Sequence, residues 1–483
     1  MTNPGYPPRG GTVVVAGATG FVGWALARFL AWDYRVVGLS RLPPRNAGGP
    51  PQAGRVEWRS CDLFSLKQTE TALDGAQHAF YMVHSMLPSA RLTQGSFADM
   101  DLICADNFAR AAAKAGVRQI VYLGGLIPED PRLSAHLASR LEVEQTLGSR
   151  GVPVSALRAG IVIGPFGSSY RIFRTLVERV PIIPCPAWTN SLTQPVGLDD
   201  VLALLRWCLE HPSPASRGFD IGSPDVMSYR ELLERTAKVM GLRRAFIPVP
   251  VKGTMFCQWW LAGVTGTPRA MLSPLLDSIR HSMVARDRRL QEMACVPGVS
   301  FEAAVRSALA RERASGREEH PPMAQGVRQR TARPNDVRSV QRMVLPPGLT
   351  ARGAAELYSA WLPRFFKTFL RAEVDADRNI ALDLAFPRVN LVNFKFWPER
   401  TGRTDRQVFI VEGGIFGRKV PPKPWGRPRV EFREALGGKA LLVAIHDYRP
   451  ALPWFLYNAT QALVHLWVMR AFARYLASLA AER

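Results

Sequence analysis

Apolar residues follow two different spacings along the chain. Between residues 12 and 242, short continuous apolar runs alternate with segments in which apolar residues recur every three or four positions. The runs predict buried strands, and the wider spacing predicts amphipathic helices. Their alternation predicts an α/β fold, a doubly wound parallel sheet with helices on both faces. The predicted strands are Thr12–Ala16, Arg35–Leu39, Ala79–Val83, Gln119–Leu123, Val154–Leu157 and Gly218–Ile221, and the predicted helices are Gly20–Leu30, Asp99–Ala115, Ser134–Gly148, Asp199–Leu209 and Ser228–Met240, the last two opened by Asp and Ser caps.

The pattern changes towards the C-terminus. Residues 313–335 are charged, contain Pro and Gly and carry almost no large apolar side chain, which predicts a linker. In residues 336–483, a helix at Ala351–Leu370 precedes five strands, and a long helix at Trp454–Ala481 closes the chain. This order predicts an α+β domain with an antiparallel sheet wrapped on the last helix, of which the helix-grip fold is one arrangement. The strands are Ile380–Phe386, Leu391–Phe396, Val408–Ile415, Val430–Arg433 and Ala440–His446.

A glycine-rich turn joins the first predicted strand to the first predicted helix. In a dinucleotide-binding turn, the first glycine allows the tight bend, the second lets the backbone approach a pyrophosphate, and the third lets the helix pack closely on the strand. The backbone N–H groups at the start of the helix then face the phosphates. Strand, turn, helix and second strand all occur where this motif requires them, which predicts a Rossmann-type dinucleotide site. The residues of the turn that we assign to the cofactor are Gly17, Thr19, Gly20, Phe21, Val22 and Gly23.

The end of the second predicted strand indicates which dinucleotide binds. NAD sites place an Asp or Glu there to hold the ribose 2′-hydroxyl, whereas this chain has Ser40 and Arg41, with Arg45 close behind. A guanidinium can bind a 2′-phosphate through paired hydrogen bonds, so the sequence favours NADP(H) over NAD(H). The alternative is that Arg41 and Arg45 merely solvate a loop beside two prolines.

Five further segments follow the turn in a recognisable order. They are Cys61-Asp62-Leu63 and the stretches at residues 80–86, 121–126, 157–167 and 194–201. With the turn, they make residues 10–310 resemble the atypical, extended, NmrA-like branch of the short-chain dehydrogenase/reductase superfamily. The resemblance implies that residues 1–312 form an NAD(P)-binding domain with an extended substrate region at about 181–300. It also implies that Asp62 and Leu63 flank the adenine, that Val83 and His84 lie along the middle of the cofactor, and that Ala159–Val162, with Gly160, approach the nicotinamide.

The catalytic positions depart from the pattern of that superfamily. Its enzymes usually carry a Ser after the fifth strand and a Tyr-x-x-x-Lys on the next helix, whereas this chain has Gly124-Gly125, His136 and Arg140. The i, i+4 spacing places His136 and Arg140 on one helix face. His136 could transfer a proton near neutral pH, and Arg140 could hold the nicotinamide ribose. The alternative is that both are ordinary polar positions on an exposed helix. Possible substitute acids are Tyr170, Tyr81 and Tyr122.

Residues 181–270 are rich in Trp, Phe and Pro, which predicts a large apolar pocket for a small apolar or lipid-like ligand. Ordinary core packing would use the same residue types. The domain at 336–483 weakly resembles the uncharacterised domains fused to this reductase branch and the START-like helix-grip folds. His446 and His465 stand there without a third partner at motif spacing, so we interpret them as structural and predict no metal site.

The net charge of +22 favours an anionic partner. No Lys/Arg run is interleaved with aromatics, so nucleic acid is not expected. Residues 451–469 contain no Lys, Arg, Asp or Glu, and the basic and aromatic residues that follow suit a helix at a membrane surface or a packed helix. Six scattered cysteines indicate free thiols in a reducing compartment. We therefore expect a cytoplasmic protein, with peripheral membrane association as a further possibility.

Two functions remain open at this stage. The first is an NADPH-dependent oxidoreductase that reduces a bulky apolar carbonyl or enone, with His136 or a water supplying the proton. The second is a non-catalytic NADP(H)-binding sensor, regulator or scaffold. The aromatic-rich region and the intact turn favour the first function, and the missing Ser and Tyr favour the second.

Overall fold

The computed structural model describes residues 10–44, 55–84, 92–130, 132–251, 253, 255–314, 321, 337–366, 370–402, 404–416 and 427–482. The chain forms two compact units, Met1–Leu87 with Asn107–Arg328 and Pro88–Asp106 with Gln329–Arg483. The sequence pattern places residues 88–106 in the first domain, whereas the structure groups them with the second unit. Arg45 and most of the predicted linker at 313–335 lie outside the described residues, so the domain limits at 312 and 336 stay a prediction.

The strands are numbered in chain order. They are β1 Gly10–Ala16, β2 Tyr34–Ser40, β3 Glu57–Ser60, β4 His78–Tyr81, β5 Leu92–Gln94, β6 Gln119–Gly125, β7 Val154–Ala159, β8 Val162–Ile163, β9 Ile182–Pro186, β10 Leu192–Thr193, β11 Val196–Gly197, β12 Arg217–Ile221, β13 Met227–Ser228, β14 Ala245–Val249, β15 Val337–Val344, β16 Leu370–Val374, β17 Ile380–Leu384, β18 Val389–Phe396, β19 Arg406–Glu412, β20 Arg429–Ala435 and β21 Ala440–Tyr448.

The helices are numbered in the same way. They are α1 Phe21–Leu30, α2 Leu66–Leu73, α3 Phe97–Lys114, α4 Ala135–Gly148, α5 Ser168–Arg179, α6 Leu198–Glu210, α7 Tyr229–Val239, α8 Met255–Thr265, α9 Arg269–Ile279, α10 Arg289–Met293, α11 Phe301–Ala314, α12 Ala351–Phe365, α13 Trp454–Ala459 and α14 Gln461–Ala481. None of them, within the described part of the chain, has both the length and the apolar character needed to cross a membrane.

A seven-stranded sheet forms the centre of the first unit, in the order β3-β2-β1-β4-β6-β7-β12. All neighbouring strands are parallel, which confirms the predicted doubly wound α/β fold. Alternate residues Val13 and Val15 of β1 pack with the apolar sides of α1 and α6 in one buried cluster. The strand order reverses between β1 and β4, and ligands of such sheets bind at the carboxyl ends of the strands at this reversal.

The first unit contains a second hydrophobic core, which is separate from the core around the sheet. It is built from α5, α7, α8, α9 and α11 around buried residues such as Phe173, Leu232, Leu261 and Leu276. These helices include most of the region that the sequence analysis assigns to the substrate. Ser228 caps α7 as predicted, since its Oγ accepts from Glu231 N at 3.1 Å. Asp199 is not a cap, because α6 already begins after Gly197.

The second unit contains an eight-stranded sheet in the order β16-β17-β18-β19-β20-β21-β15-β5. Its strands are antiparallel except for the parallel pair β15 and β5. Helices α12 and α14 bury Leu362, Phe472 and Leu476 against Phe432 and Leu441 of the sheet. The predicted antiparallel sheet with a long C-terminal helix is therefore confirmed.

Two predicted helices of this unit differ from the structure. The closing helix is broken at Thr460, where φ is −127° and ψ is −84°, so α13 and α14 are separate. The helix expected to reach Leu370 ends at Phe365, because Leu370 begins β16 and pairs with Leu384. Strand pairing is a long-range interaction that helical spacing cannot reveal.

Candidate active site

The glycine turn between β1 and α1 has no room for side chains at two of its three glycines. Gly17 has φ +81°, and a Cβ built on it would lie 2.6 Å from the carbonyl oxygen of Met82. A Cβ on Gly23 would lie 2.3 Å from the carbonyl oxygen of Gly17. Gly20 precedes α1 and donates its N–H to Gly17 O at 2.9 Å. The turn is thus a backbone cradle at a helix N-terminus, which suits a diphosphate.

A cleft of about 180 Å³ lies directly beside this turn. Gly20, Phe21, Val22 and Gly23 form one side of it, and Thr19 lies just before them in the turn. The opposite side comes from the ends of β4, β6 and β7, namely Met82, Leu123, Gly124, Ala159 and Gly160. The cleft therefore lies at the strand-order reversal, where the topology predicts a ligand.

The residues assigned to the adenosine half follow β2 and β3. Ser40 Oγ donates to Leu42 O at 2.9 Å, which shapes the turn that contains Arg41. Asp62 Oδ1 accepts from Phe64 N at 3.3 Å. Leu63 is buried, and its carbonyl oxygen accepts from Asn107 Nδ2 at 2.8 Å. These bonds order the backbone at the carboxyl ends of two neighbouring strands.

Arg140 joins two strand ends next to the cleft. Its Nη1 donates to Val83 O at 3.3 Å, and its Nη2 donates to Leu123 O. The guanidinium carbon also lies 5.0 Å from the ring centroid of Tyr122, at cation–π distance. Arg140 thereby holds the ends of β4 and β6 in place and lines the cleft at the same time.

A cluster of two histidines and a serine lies one helical turn from Arg140. The rings of His84 and His136 are 5.0 Å apart between centroids. His136 Nδ1 lies 3.0 Å from Ser278 Oγ, which also donates to Pro274 O at 2.9 Å and lies 3.0 Å from Ser134 Oγ. A carbonyl oxygen can only accept, so the arrangement that satisfies all three contacts directs the single hydroxyl proton of Ser278 to Pro274 O. In this arrangement Ser278 Oγ accepts the proton on His136 Nδ1.

A larger cavity of about 480 Å³ opens beside this cluster. His84, His136, Arg140 and Ser278 line its polar end. Gly124, Arg140, Ala159 and Gly160 line both this cavity and the cleft at the turn. The rest of the lining is mostly apolar and comes from α5, α7, α8 and α9, for example Phe173, Leu233, Trp260, Leu261 and Leu276. A ligand in the cleft would thus meet a ligand in the cavity beside His136.

Three tyrosines proposed as substitute acids lie elsewhere. Tyr170 packs edge-on against Phe173, and burial, with Glu312 nearby, raises its pKa well above the ordinary value. Tyr170, Tyr81 and Tyr122 are absent from the residues that line the cavity in the described part of the chain. Tyr81 and Tyr122 are fully buried near each other. His136 is therefore better placed than any of the three to reach a ligand.

Comparison with known proteins identifies the family. The NmrA-like family matches residues 9–256, which is more than half of the chain. The chain belongs to the NmrA-like family. Auxiliary protein GraX of Staphylococcus aureus is 31% identical over 144 residues, which cover 29% of this chain and 42% of GraX. This NmrA-like chain thus matches less than half the length of that relative.

Two further comparisons concern a curated enzyme and a solved structure. A ceramide reductase of Caulobacter vibrioides is 26% identical over 246 residues, which are 51% of this chain and 75% of the reductase. The structure of an NADPH-dependent quinone oxidoreductase of Escherichia coli, complexed with NADPH, matches over 61% of this chain and 98% of the oxidoreductase chain. Its TM-score is 0.47 and its sequence identity with this chain is 16%.

Some residues of the NmrA-like site were not found from the sequence. Ser278 lies 142 residues from His136 and looks like any helical serine. Tyr229 lines the cavity, and burial raises its pKa to about 12. Met82, within the predicted strand Ala79–Val83, lines the cleft but was not among the predicted site residues. The described residues contain no group of three His, Cys, Asp or Glu side chains placed to hold a metal ion.

Proposed function

We propose that this NmrA-like chain is an NADPH-dependent oxidoreductase that reduces a bulky, apolar, lipid-like carbonyl or enone. One observation carries the proposal: the cleft at the glycine turn and the apolar cavity share four residues, among them Arg140, and His136, one helical turn from Arg140, lines the cavity. A nucleotide site, a proton-transfer group and an apolar ligand site are thereby adjacent, which is the arrangement that a carbonyl reductase needs.

The turn fits a nicotinamide dinucleotide because it has glycines at the positions where a Cβ would clash with the neighbouring backbone. Gly17 and Gly23 leave the cradle open, and the first N–H groups of α1 have no partner within the helix. The residues that would hold the nucleotide are Gly20, Phe21 and Val22 at the diphosphate, Asp62 and Leu63 at the adenine, and Arg140 and Gly160 at the nicotinamide end. When bound, the nicotinamide dinucleotide supplies a hydride. Arg41 would favour NADP(H) through the 2′-phosphate.

His136 is the residue that would provide the proton. Because Ser278 Oγ accepts from Nδ1, the neutral imidazole carries its one basic lone pair on Nε2, and the protonated form donates from Nε2. In a reduction, the nicotinamide dinucleotide would supply the hydride to the carbonyl carbon, and His136 Nε2 would give its proton to the carbonyl oxygen, which leaves an alcohol and neutral His136. A proton from solvent then restores the imidazolium. In the oxidation direction, Nε2 accepts the same proton.

The cavity supports the class of substrate. Its volume of about 480 Å³ is typical of small-molecule sites, and its walls offer few polar groups beyond the histidine end. A sugar would leave its hydroxyl groups without partners there. The relationship to a ceramide reductase agrees with a lipid-like substrate.

The replacement of His136 tests the catalytic assignment. NADPH consumption is measured by absorbance with a series of aryl-alkyl and long-chain ketones. His136→Asn removes the titratable ring and should lower kcat about a hundredfold or more, because a positioned general acid contributes on the order of 10²–10⁴. The dissociation constant for NADPH should remain as in the unaltered protein.

His211→Asn is the matched control. His211 belongs to the same unit, ends α6 and stacks on Trp207 at 4.3 Å between ring centroids, away from the cavity lining. We expect it to keep full turnover. If the two asparagine variants lose turnover equally, the role of His136 is refuted.

A second function is favoured by one observation. The position of the usual Ser is Gly124, where a Cβ would lie 2.9 Å from the Tyr122 ring, so this strand end is built without a side chain. A non-catalytic NADP(H)-binding sensor, regulator or scaffold would need only the cleft. Calorimetry that shows tight NADPH binding, together with no NADPH consumption across the ketone series, would support the sensor and refute the reductase.

A further inference from the structure

Helix α8 presents an apolar face to solvent. The side chains of Met255, Phe256 and Trp259 are 70%, 71% and 59% exposed. Cys257, Leu261 and Thr265 on the opposite face are buried, so the helix is already packed on one side. The whole helix, MFCQWWLAGVT, contains no charged residue. An exposed helix face normally carries charged or polar side chains, and a contiguous apolar one marks a contact surface.

The same helix forms the mouth of the cavity. Phe256 lines the cavity and is nevertheless largely exposed, so the cavity reaches the surface at this residue. Cys257, Trp260 and Leu261, on the inner side of α8, continue the lining inwards. An apolar outer face thus leads over Phe256 into an apolar interior, with little polar surface between them.

Two exposed arginines flank the face. The Arg269 guanidinium lies 3.6 Å from the ring centroid of Trp259. Arg179 Nη1 donates to the carbonyl oxygen of Val264 at 2.8 Å, near the end of α8. Cations beside Trp and Phe are the combination that favours the headgroup region of a bilayer with anionic lipids. The net charge of +22 adds a long-range attraction to such a surface.

We propose that α8 is a membrane-docking helix. Met255, Phe256 and Trp259 insert at the boundary between headgroups and acyl chains of a bilayer that contains anionic lipids, and Arg269 and Arg179 contact the lipid phosphates. The cavity mouth then opens towards the acyl chains, so an apolar substrate enters without crossing water. The entry of substrate rests on the proposed function, whereas the membrane contact does not.

A bilayer fits this face better than a second copy of the chain. A symmetric dimer would bring Arg269 and Arg179 of two copies together around an uncharged helix, and each copy already carries a large positive charge. It would also cover the mouth of the cavity. An anionic bilayer neutralises the arginines and leaves the mouth facing apolar material.

Flotation with lipid vesicles tests the proposal. Full-length protein without cofactor is mixed with vesicles of phosphatidylcholine alone or of phosphatidylcholine with phosphatidylglycerol. We expect binding to the anionic vesicles, and Trp259→Glu should lower the partition coefficient about tenfold, because a charge replaces a large apolar side chain. Arg269→Gln should weaken binding to anionic vesicles only. Neither residue lines the cavity.

Trp32→Glu is the matched control, since Trp32 is 62% exposed in the same unit but far along the chain from α8. It should bind vesicles as the unaltered protein does. Met255→Glu provides a second variant if Trp259→Glu fails to fold by circular dichroism. The proposal is refuted if the α8 variants bind like the control, if the unaltered protein binds neither vesicle, or if Trp259→Glu instead dissolves a dimer in size-exclusion chromatography.

Turnover of a detergent-dissolved ketone separates this proposal from the proposed function. Vesicle binding without turnover would leave the docking helix standing and remove the reductase. Turnover in detergent without vesicle binding would keep the reductase and remove the docking helix.

Discussion

Ser278 has a single hydroxyl proton, and its direction determines what His136 can do. That proton goes to the carbonyl oxygen of Pro274, so Ser278 presents a lone pair to His136 Nδ1. In this arrangement the neutral imidazole carries its proton on Nδ1, and we assign proton transfer to Nε2. In the proposed reaction, Ser278 would thus be a positioning residue and His136 the catalytic group.

Removal of the Ser278 hydroxyl should therefore leave the His136 imidazole in the site but without the hydrogen bond that orients it. We expect Ser278→Ala to lower kcat about tenfold with little change in KM, because the correct tautomer is no longer selected. Ser278→Thr keeps the hydroxyl and should restore most of the rate. A merely structural serine would instead give equal losses of thermal stability and activity in both variants.

Arg41 is the residue that bears on the choice between the two coenzymes. It follows Ser40 at the end of β2, where an acidic residue would bind the ribose hydroxyls of NAD. Arg41→Ser should weaken NADPH binding about tenfold or more, because a charge-assisted pair with the 2′-phosphate is lost, and should leave NADH binding unchanged. Parallel calorimetric titrations with the two coenzymes measure this difference. Equal losses for both would contradict the assignment.

At the scale of elements, glycines allow α1 to pack closely on the turn that follows β1. Gly23 lies in α1, and a Cβ there would meet the carbonyl of Gly17, so the helix packs on the turn at a distance that other residues cannot reach. Such local packing explains why the sequence motif identifies the element so well. The chemistry of the turn depends on backbone shape, and that shape requires a specific residue type.

Two helix glycines offer a direct comparison at this scale. An exposed glycine in a helix is usually less stable than alanine by about 1 kcal/mol. Gly263 in α8 has no neighbour within 4 Å of a built Cβ, so Gly263→Ala should raise the melting temperature. Gly23→Ala should do the opposite and weaken NADPH binding at least tenfold or so, since overpacking displaces the turn. Thermal melts with and without NADPH measure both effects.

The sequence could predict the features that depend on residues near one another in the chain, but not those that depend on distant residues. The turn, the apolar runs of the single strands in the first sheet and the shared face of His136 and Arg140 depend on residues close together in the chain, and their spacing was sufficient. Ser278, the cavity helices α8 and α9, and the strand β5 depend on distant partners. The break at Thr460 was also missed, because the apolar pattern continues through it without Pro or Gly.

At the scale of the whole molecule, the stability of the first unit should depend on coenzyme and that of the second unit on pH. A coenzyme would bind residues of the first unit and stabilise it by mass action. The second unit contains two histidines with lowered pKa values. Burial lowers the pKa of His465, which lies 3.1 Å from Ser339 Oγ, from 6.5 to about 4. Burial also lowers the pKa of His446 well below its ordinary value.

The second unit should therefore lose stability in mild acid. Between pH 6.5 and about 4, the unfolded chain binds a proton at His465 that the folded chain refuses, so stability is complete above this window and falls as the pH decreases through it. The loss from this residue is at most about 3 kcal/mol. His465→Gln keeps a hydrogen-bonding group for Ser339 but does not titrate. Melting temperatures from pH 7 to pH 4.5 should fall less steeply in this variant, and equal slopes would contradict the prediction.

The membership of Pro88–Asp106 in the second unit has a consequence for how the protein is made. Leu92–Gln94 pairs with Val337–Ser339, and Asp99 forms an ion pair with Arg342, which lies 243 residues later. During translation, this early segment leaves the ribosome long before its partners exist. The nascent chain must carry it unpaired while the rest of the nucleotide-binding half is synthesised. Splitting the gene at residue 312 would accordingly separate the segment from its sheet, because the N-terminal product would carry Leu92–Gln94 without Val337–Ser339 and the C-terminal product would lack that edge strand.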